Sequence, residues 1–402
     1  RSRIHKVNQI YDDTVYYQLV GTVSNLKTHG EPRMTRISAT FSDETGSIEL
    51  VWFKGLKWIK NKFVPGKKYL LFGKANVFNN RFSFTHPDIE EYDPILFNRI
   101  KELVEKGKWH IMGGWYVQPD CNIPSGEGFV RQIESGLKYF KEKFGKRSNV
   151  AVNFDTFGHS QGLVQILNKC GYDGYIFCRP MVELFNLPKM VFNWIGFDGS
   201  KVKGARFEDV TIYCSELGNS VNAIKRKMQP WQDEDVAFAL WGVGNHGGGA
   251  SRKDLDDIKE FMLEQKGNGV TVYHSTPEAF FAKVAPEVDY QGALQPCFIK
   301  CYSSIARLKQ KYAELENALL KTEKICSYAD KEGVYSYDLD AFMDAQKNMS
   351  AMQFHDVLSG TCIIEGEKSS LRKADYALEV LDKQFAKAFM GLCYGYAKAE
   401  PG

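Results

Sequence analysis

The spacing of hydrophobic residues changes twice along this 402-residue chain, and each change limits what the segment beyond it can fold into. From residue 15 to 86, apolar side chains alternate at period two, as in Ile37, Ala39, Phe41 and again in Ile48, Leu50, Trp52. That is the pattern of half-buried strands. Asp43-Glu44-Thr45-Gly46 is the turn between these two runs. Tyr69-Leu70-Leu71-Phe72-Gly73 and Arg81-Phe82-Ser83-Phe84 read as further strands, bounded by Pro65-Gly66 and Asn79-Asn80. Closing such strands on one another makes a small β-barrel without open edges.

From Tyr92-Asp93-Pro94 onward, helices alternate with short β-rich runs such as Val150-Ala151-Val152-Asn153-Phe154 and Gly174-Tyr175-Ile176-Phe177. This predicts a parallel, barrel-like α/β domain with its functional residues at the C-terminal ends of strands. After Pro296 the period is helical throughout. Ile305, Leu308, Tyr312, Leu315 and Leu319 keep helical spacing, as do Leu371, Ala374, Leu378, Leu381 and Phe385, with a helix from Leu339 to Met352 between them. The expected domains are 1–94, 95–295 and 296–402, the last a three-helix bundle.

Composition narrows the class. Hydrophobic residues make up 44% and charged ones 25%, ordinary globular values. No apolar run approaches the ~18–20 residues of a membrane-spanning helix. Arg1-Ser2-Arg3-Ile4-His5-Lys6 leads into no signal-peptide core, so a cytoplasmic protein is expected. The nine cysteines form no C-x-x-C pair and read as reduced thiols. Residues 1–94 hold 14 Lys/Arg against 10 Asp/Glu, a balance of +4 out of the +3 total, so the remainder carries −1.

The functional reading turns on Asp155. It is a carboxylate at a strand end, followed by Phe157-Gly158-His159, in which the glycine permits a sharp turn and the aromatic ring suits a sugar. Alone, such an aspartate serves equally well as the cap of a following helix. The longer string Asp155-Thr156-Phe157-Gly158-His159-Ser160 resembles the D-P-F-G-H-S motif of glycoside hydrolase family 38, the class II α-mannosidases, with Thr156 in place of proline. Gly113-Gly114-Trp115, Pro124-Ser125-Gly126-Glu127, the glycine-rich run from Trp241 to Gly249, and Gln353-Phe354-His355-Asp356 resemble further segments of that family, in the same order.

The resemblance implies a zinc-dependent, retaining cleavage of terminal α-mannosides. Asp155 is then both the nucleophile and a Zn2+ ligand, and His355 is a second ligand. Phe157, Arg179 and Asp356 are substrate-site residues. Retention calls for a second carboxyl roughly 5–5.5 Å from the first. His355 as a packed helix-interface histidine and Arg179 as a structural ion pair remain open alternatives. Two departures stand out. The H-x-D-x-x-W segment that supplies two more zinc ligands in the family has no counterpart, which predicts an incomplete β/α barrel with weak metal binding and an unpaired edge prone to self-association. His86-Pro87-Asp88 has the H-x-D spacing but lacks the tryptophan. Asn245 stands near where the family carries its acid aspartate, and an amide cannot exchange a proton, which leaves His246 as the acid candidate.

A second resemblance covers the opening barrel. Phe41-Ser42-Asp43-Glu44-Thr45-Gly46, Leu50-Val51-Trp52-Phe53 and Phe72-Gly73-Lys74 are similar to the OB-fold wedge domain of the bacterial helicase RecG. It implies branched or single-stranded DNA as a partner, with Lys54, Lys57, Phe78, Arg81 and Phe82 in contact with it. A solvated, lysine-rich barrel is the plainer alternative. No G-x-x-x-x-G-K-[ST] occurs, so no ATP-driven motor accompanies it. The expected function is α-mannoside hydrolysis, and the alternative is a DNA-binding module.

Overall fold

The computed structural model describes residues 4–13, 16–30, 35–78, 81–207, 215–231, 234–244 and 248–395, which fall into two units, 1–106 and 107–402. Alternation at period two becomes six strands in the first unit: β1 (Tyr16–His29), β2 (Arg36–Asp43), β3 (Gly46–Trp52), then, after the short helix α1 (Leu56–Lys60), β4 (Lys68–Phe78), β5 (Arg81–Thr85) and β6 (Asp88–Glu91). Their order is β1-β2-β3-β5-β4-β6, and β1 also pairs with β4, which closes the barrel. Leu19, Ile37, Phe41, Leu50, Leu71 and Phe84 are completely buried inside it. Closure brings β1 hard against β2: a Cβ on Gly21 would meet the Ser42 carbonyl and lie 2.8 Å from the Phe41 ring. Helix α2 (Pro94–Glu105) follows, started by the Asp93 carboxylate accepting from the Ile95 and Leu96 amides and by Pro94 in its first turn.

The second unit begins with α3 (Gly126–Phe144), capped by Ser125. Then come β7 (Val150–Asn153), α4 (Leu163–Lys169), β8 (Gly174–Phe177), β9 (Val191–Ile195), β10 (Lys201–Arg206) and α5 (Ser220–Met228). The two-residue strands β11 (Val243–Gly244) and β12 (Gly248–Gly249), α6 (Arg252–Gly267), α7 (Pro277–Lys283) and β13 (Asp289–Gln291) complete the α/β part. The sheet runs β13-β9-β10-β8-β7. Pairings β7–β8, β8–β10 and β9–β13 are parallel, as expected, but β9–β10 is antiparallel. The link between those two strands is a tight turn, with the Gly196 amide bonded to the Ser200 carbonyl. So short a link cannot carry a parallel crossover.

Strand β7 ends the sheet, and among the described residues no other strand pairs with it besides β8. Its outer edge is nonetheless covered. Ser148 Oγ engages both backbone groups of Val150, Gly113 packs against Val152, and the Phe154 amide donates to Gln118 Oε1 at 2.8 Å. All four β7 residues are buried.

After residue 296 the chain forms α8 (Ala306–Lys331), α9 (Leu339–Met352), the single turn α10 (His355–Leu358) and α11 (Ile364–Gly395). Helices α8, α9 and α11 share a core of Leu308, Leu315, Leu319, Met349, Ala374 and Leu381. This is the expected bundle. Every cysteine among the described residues is a free thiol; Cys214 lies outside them.

Candidate active site

The end of β7 is stitched to the segment around Pro119. Asn153 Nδ2 donates to the Pro119 carbonyl at 2.9 Å, and Thr156 Oγ1 lies 3.0 Å from the same oxygen. The other side of that segment holds the His355 motif, through Asp120 N–H to the Gln353 carbonyl at 2.7 Å. Gln118 touches both motifs. Its side-chain oxygen accepts from the Phe154 amide, and its backbone carbonyl accepts from His355 N at 3.2 Å and from His355 Nδ1 at 3.0 Å. Two motifs far apart in sequence thus meet on one residue.

Arg179, two residues beyond β8, donates from Nε to Asp155 Oδ1 at 2.5 Å, with both side chains about a quarter exposed. Its guanidinium lies 4.9 Å from the centre of the Phe298 ring and 5.9 Å from that of Phe157. Its backbone carbonyl is fixed from beneath: His159 Nε2 donates to it at 2.7 Å, while the Tyr175 hydroxyl contacts His159 Nδ1 at 2.7 Å. These partners set the imidazole tautomer, with the proton on Nε2. Burial lowers the His159 pKa to about 4, so the ring is neutral near pH 7.

The other predicted residues occupy varied positions. Phe157 and His355 are buried, and Asp356 is half-exposed with Oδ1 accepting from Thr361 Oγ1 at 3.0 Å. His246 and Asn245 lie outside the described residues. Asp120, at the end of the 113–120 stretch that resembles the family but with no role expected for it, is fully buried. Its carboxyl accepts from the Asn122 and Ile123 amides and from the Tyr302 hydroxyl at 2.6 Å. Burial pushes it above the usual carboxylate range while those hydrogen bonds pull the other way. With these three hydrogen bonds it anchors the loop that carries Gln118.

Zinc is the group that the family resemblance brings. His355 suits it, since a backbone carbonyl holds Nδ1 and leaves Nε2 as the donor atom. Asp155 shares its carboxylate with Arg179. A catalytic zinc takes three protein ligands, and among the described residues no cluster of three or more His, Cys, Asp or Glu is placed to hold a metal. Asp155 and His355 alone are fewer donors than a catalytic zinc takes.

In the first unit a groove of about 1470 Å³ runs across the barrel strands, lined among others by Lys27, His29, Arg36, Arg81, Phe53 and Phe82, with Glu49 as an acidic neighbour. Lys54 and Lys57 are exposed but outside it, and the Phe78 side chain is not among those described. No helix among the described residues is long and apolar enough to cross a membrane.

Comparison with known proteins assigns the class. The chain shares its fold with the crystal structure of an alpha-mannosidase from Enterococcus faecalis V583, at a TM-score of 0.64 and 20% identity, over 75% of this chain and 36% of that one. Residues 81–321 match the glycosyl hydrolases family 38 N-terminal domain, 297–391 the alpha mannosidase middle domain, and 17–92 the OB-fold nucleic acid binding domain. The chain belongs to glycoside hydrolase family 38 and carries an OB-fold domain at its start. It is 30% identical to alpha-mannosidase G of Dictyostelium discoideum over 300 residues, 70% of this chain and 27% of that protein. It is also 30% identical to human alpha-mannosidase 2C1 over 283 residues, 67% of this chain and 26% of that protein. The chain thus spans about a quarter of the length of the curated relatives it matches.

Asp155, Arg179 and His355 are legible as motif residues, and Gln118 lies in the 113–120 stretch that resembles the family, but its role and those of Tyr175, Phe298 and His159 depend on which backbone carbonyl or ring a side chain reaches.

Proposed function

We propose that this chain carries the nucleophile half of an α-mannoside-cleaving site. The observation that carries the reading is Asp155 at the C-terminal end of β7, paired through Oδ1 with Arg179 and tied through Gln118 to His355. In this reading a terminal mannoside lies over Asp155, and the free carboxylate oxygen attacks the anomeric carbon to give a covalent glycosyl ester as the leaving oxygen departs. Arg179 fixes the orientation of the carboxylate. Asp356, half-exposed beside His355, accepts a hydrogen bond from a sugar hydroxyl. His246 is the candidate donor of the proton for the leaving oxygen. Zinc, where bound, would draw on Asp155 and His355, and two donors predict that a chelator strips it readily.

Hydrolysis of 4-nitrophenyl α-mannoside by the parent chain and by Asp155→Asn tests the assignment. The variant is expected to lose on the order of 10³-fold in rate. A 2-deoxy-2-fluoro mannosyl fluoride is expected to leave its sugar on the Asp155 peptide by mass spectrometry, and equal rates in the two chains would remove Asp155 from the role.

The basic, aromatic groove of the first unit favours a second reading, a binding surface for single-stranded DNA. Lys27, Arg36 and Arg81 suit phosphates, and Phe53 and Phe82 suit unpaired bases. Branched DNA is the partner to compare against it. Free thiols throughout the described residues fit a cytoplasmic location.

A further inference from the structure

Phe298 lies just before the short turn that leads into α8, and nothing in the hydrophobic pattern singled it out. It is 45% exposed, while its aromatic neighbour Phe157 is 7% exposed. Its backbone adopts φ 42°, in the left-handed region that a residue with a β-carbon enters only at a cost. Neither feature serves the core. Both are explained by where the ring sits: the Arg179 guanidinium lies 4.9 Å from its centre, and Phe157 meets it edge to face at 5.1 Å. Arg179 and Phe157 therefore hold Phe298 in place, and the residue stays half-exposed beside the Arg179–Asp155 pair. Strained backbone at an exposed aromatic beside a reactive carboxylate is the kind of feature that persists where a ligand uses it.

We propose that Phe298 is the aromatic wall against which the sugar ring at Asp155 stacks, and so a specificity-determining residue for hexopyranosides. The inference rests on the α-mannoside reading above and adds the surface that recognises the ring itself. Phenylalanine offers a flat apolar face and no hydrogen-bond donor. It accepts a pyranose through a run of its C–H groups and leaves the sugar hydroxyls to polar partners. The nearby guanidinium draws on the ring's electrons, so Phe298 links substrate packing to the orientation of the Arg179–Asp155 pair.

The test measures binding of methyl α-mannoside by calorimetry on Asp155→Asn chains, so that turnover does not intrude. Three such chains are compared: Phe298 intact, Phe298→Leu and Phe298→Tyr. Thermal melts establish that each is folded. The leucine chain is expected to bind about tenfold more weakly and the tyrosine chain within about twofold of the intact one. In the active background, Phe298→Leu is expected to raise KM with little change in kcat. Equal affinity in the leucine and intact chains overturns the proposal and leaves the α-mannoside reading standing. If methyl α-mannoside fails to bind but a glucoside or galactoside binds and depends on Phe298, the mannoside reading falls and the wall stands. Binding of no hexoside at all to the intact chain overturns both.

Discussion

His159 shows how one buried side chain can govern a site it does not enter. It holds the Arg179 carbonyl, and Arg179 holds Asp155. Its pKa is near 6.5 in an unfolded chain and about 4 in the fold, mainly through burial. As pH falls, the unfolded state takes up the proton first. The stabilisation is therefore complete above about pH 6.5 and is lost progressively toward pH 4, to an extent of roughly 3 kcal/mol. Urea melts from pH 7 to 4 should show the parent losing stability more steeply than His159→Gln, and parallel curves would exclude the role. The sequence carried part of this. Asp155-Thr156-Phe157-Gly158-His159-Ser160 stands out as a string, but the identity of the atom that His159 Nε2 reaches is a property of the folded backbone.

Among the elements, legibility followed the strength of the period. The helices α8, α9 and α11 and the strands β2, β3, β7 and β8 all lie where spacing put them. Strand β1 did not stand out, although Tyr17, Leu19 and Val23 alternate inward, because Gly21 breaks the apolar run. That glycine is required by the close approach of β2, which no local pattern announces. Nor did the sequence announce that β9 reverses direction, or that the β7 edge is closed by Gly113, Gln118 and Ser148. Gly136 belongs to the same category. It lies in the middle of α3, where glycine is poor, because a Cβ there would collide with the backbone of Gly114 and Trp115. Gly136→Ala should thus lower stability by about 1–3 kcal/mol despite better helix propensity, a result a thermal melt reads directly. A rise in melting temperature would show that α3 can move away.

Over the whole molecule, the two units hold separate cores. The +4 balance of residues 1–94 was legible, but its distribution over the barrel was not. Lys27 and Arg36 line the groove from β1 and β2, whereas Lys54, in the loop after β3, and Lys57, in α1, lie outside it. Binding of a fluorescent oligothymidine should weaken with salt, and Arg81→Ala should flatten the log–log slope by about 0.7. Lys54→Ala should leave that slope unchanged, and an unchanged slope in Arg81→Ala would move the interface off the groove. In the second unit, Gln118 has a consequence of another kind. One amide side chain receives the Asp155 strand and one peptide oxygen receives His355, so a single residue contacts both halves of the site. A displacement of the segment around Gln118 therefore disturbs the Asp155 and His355 motifs together.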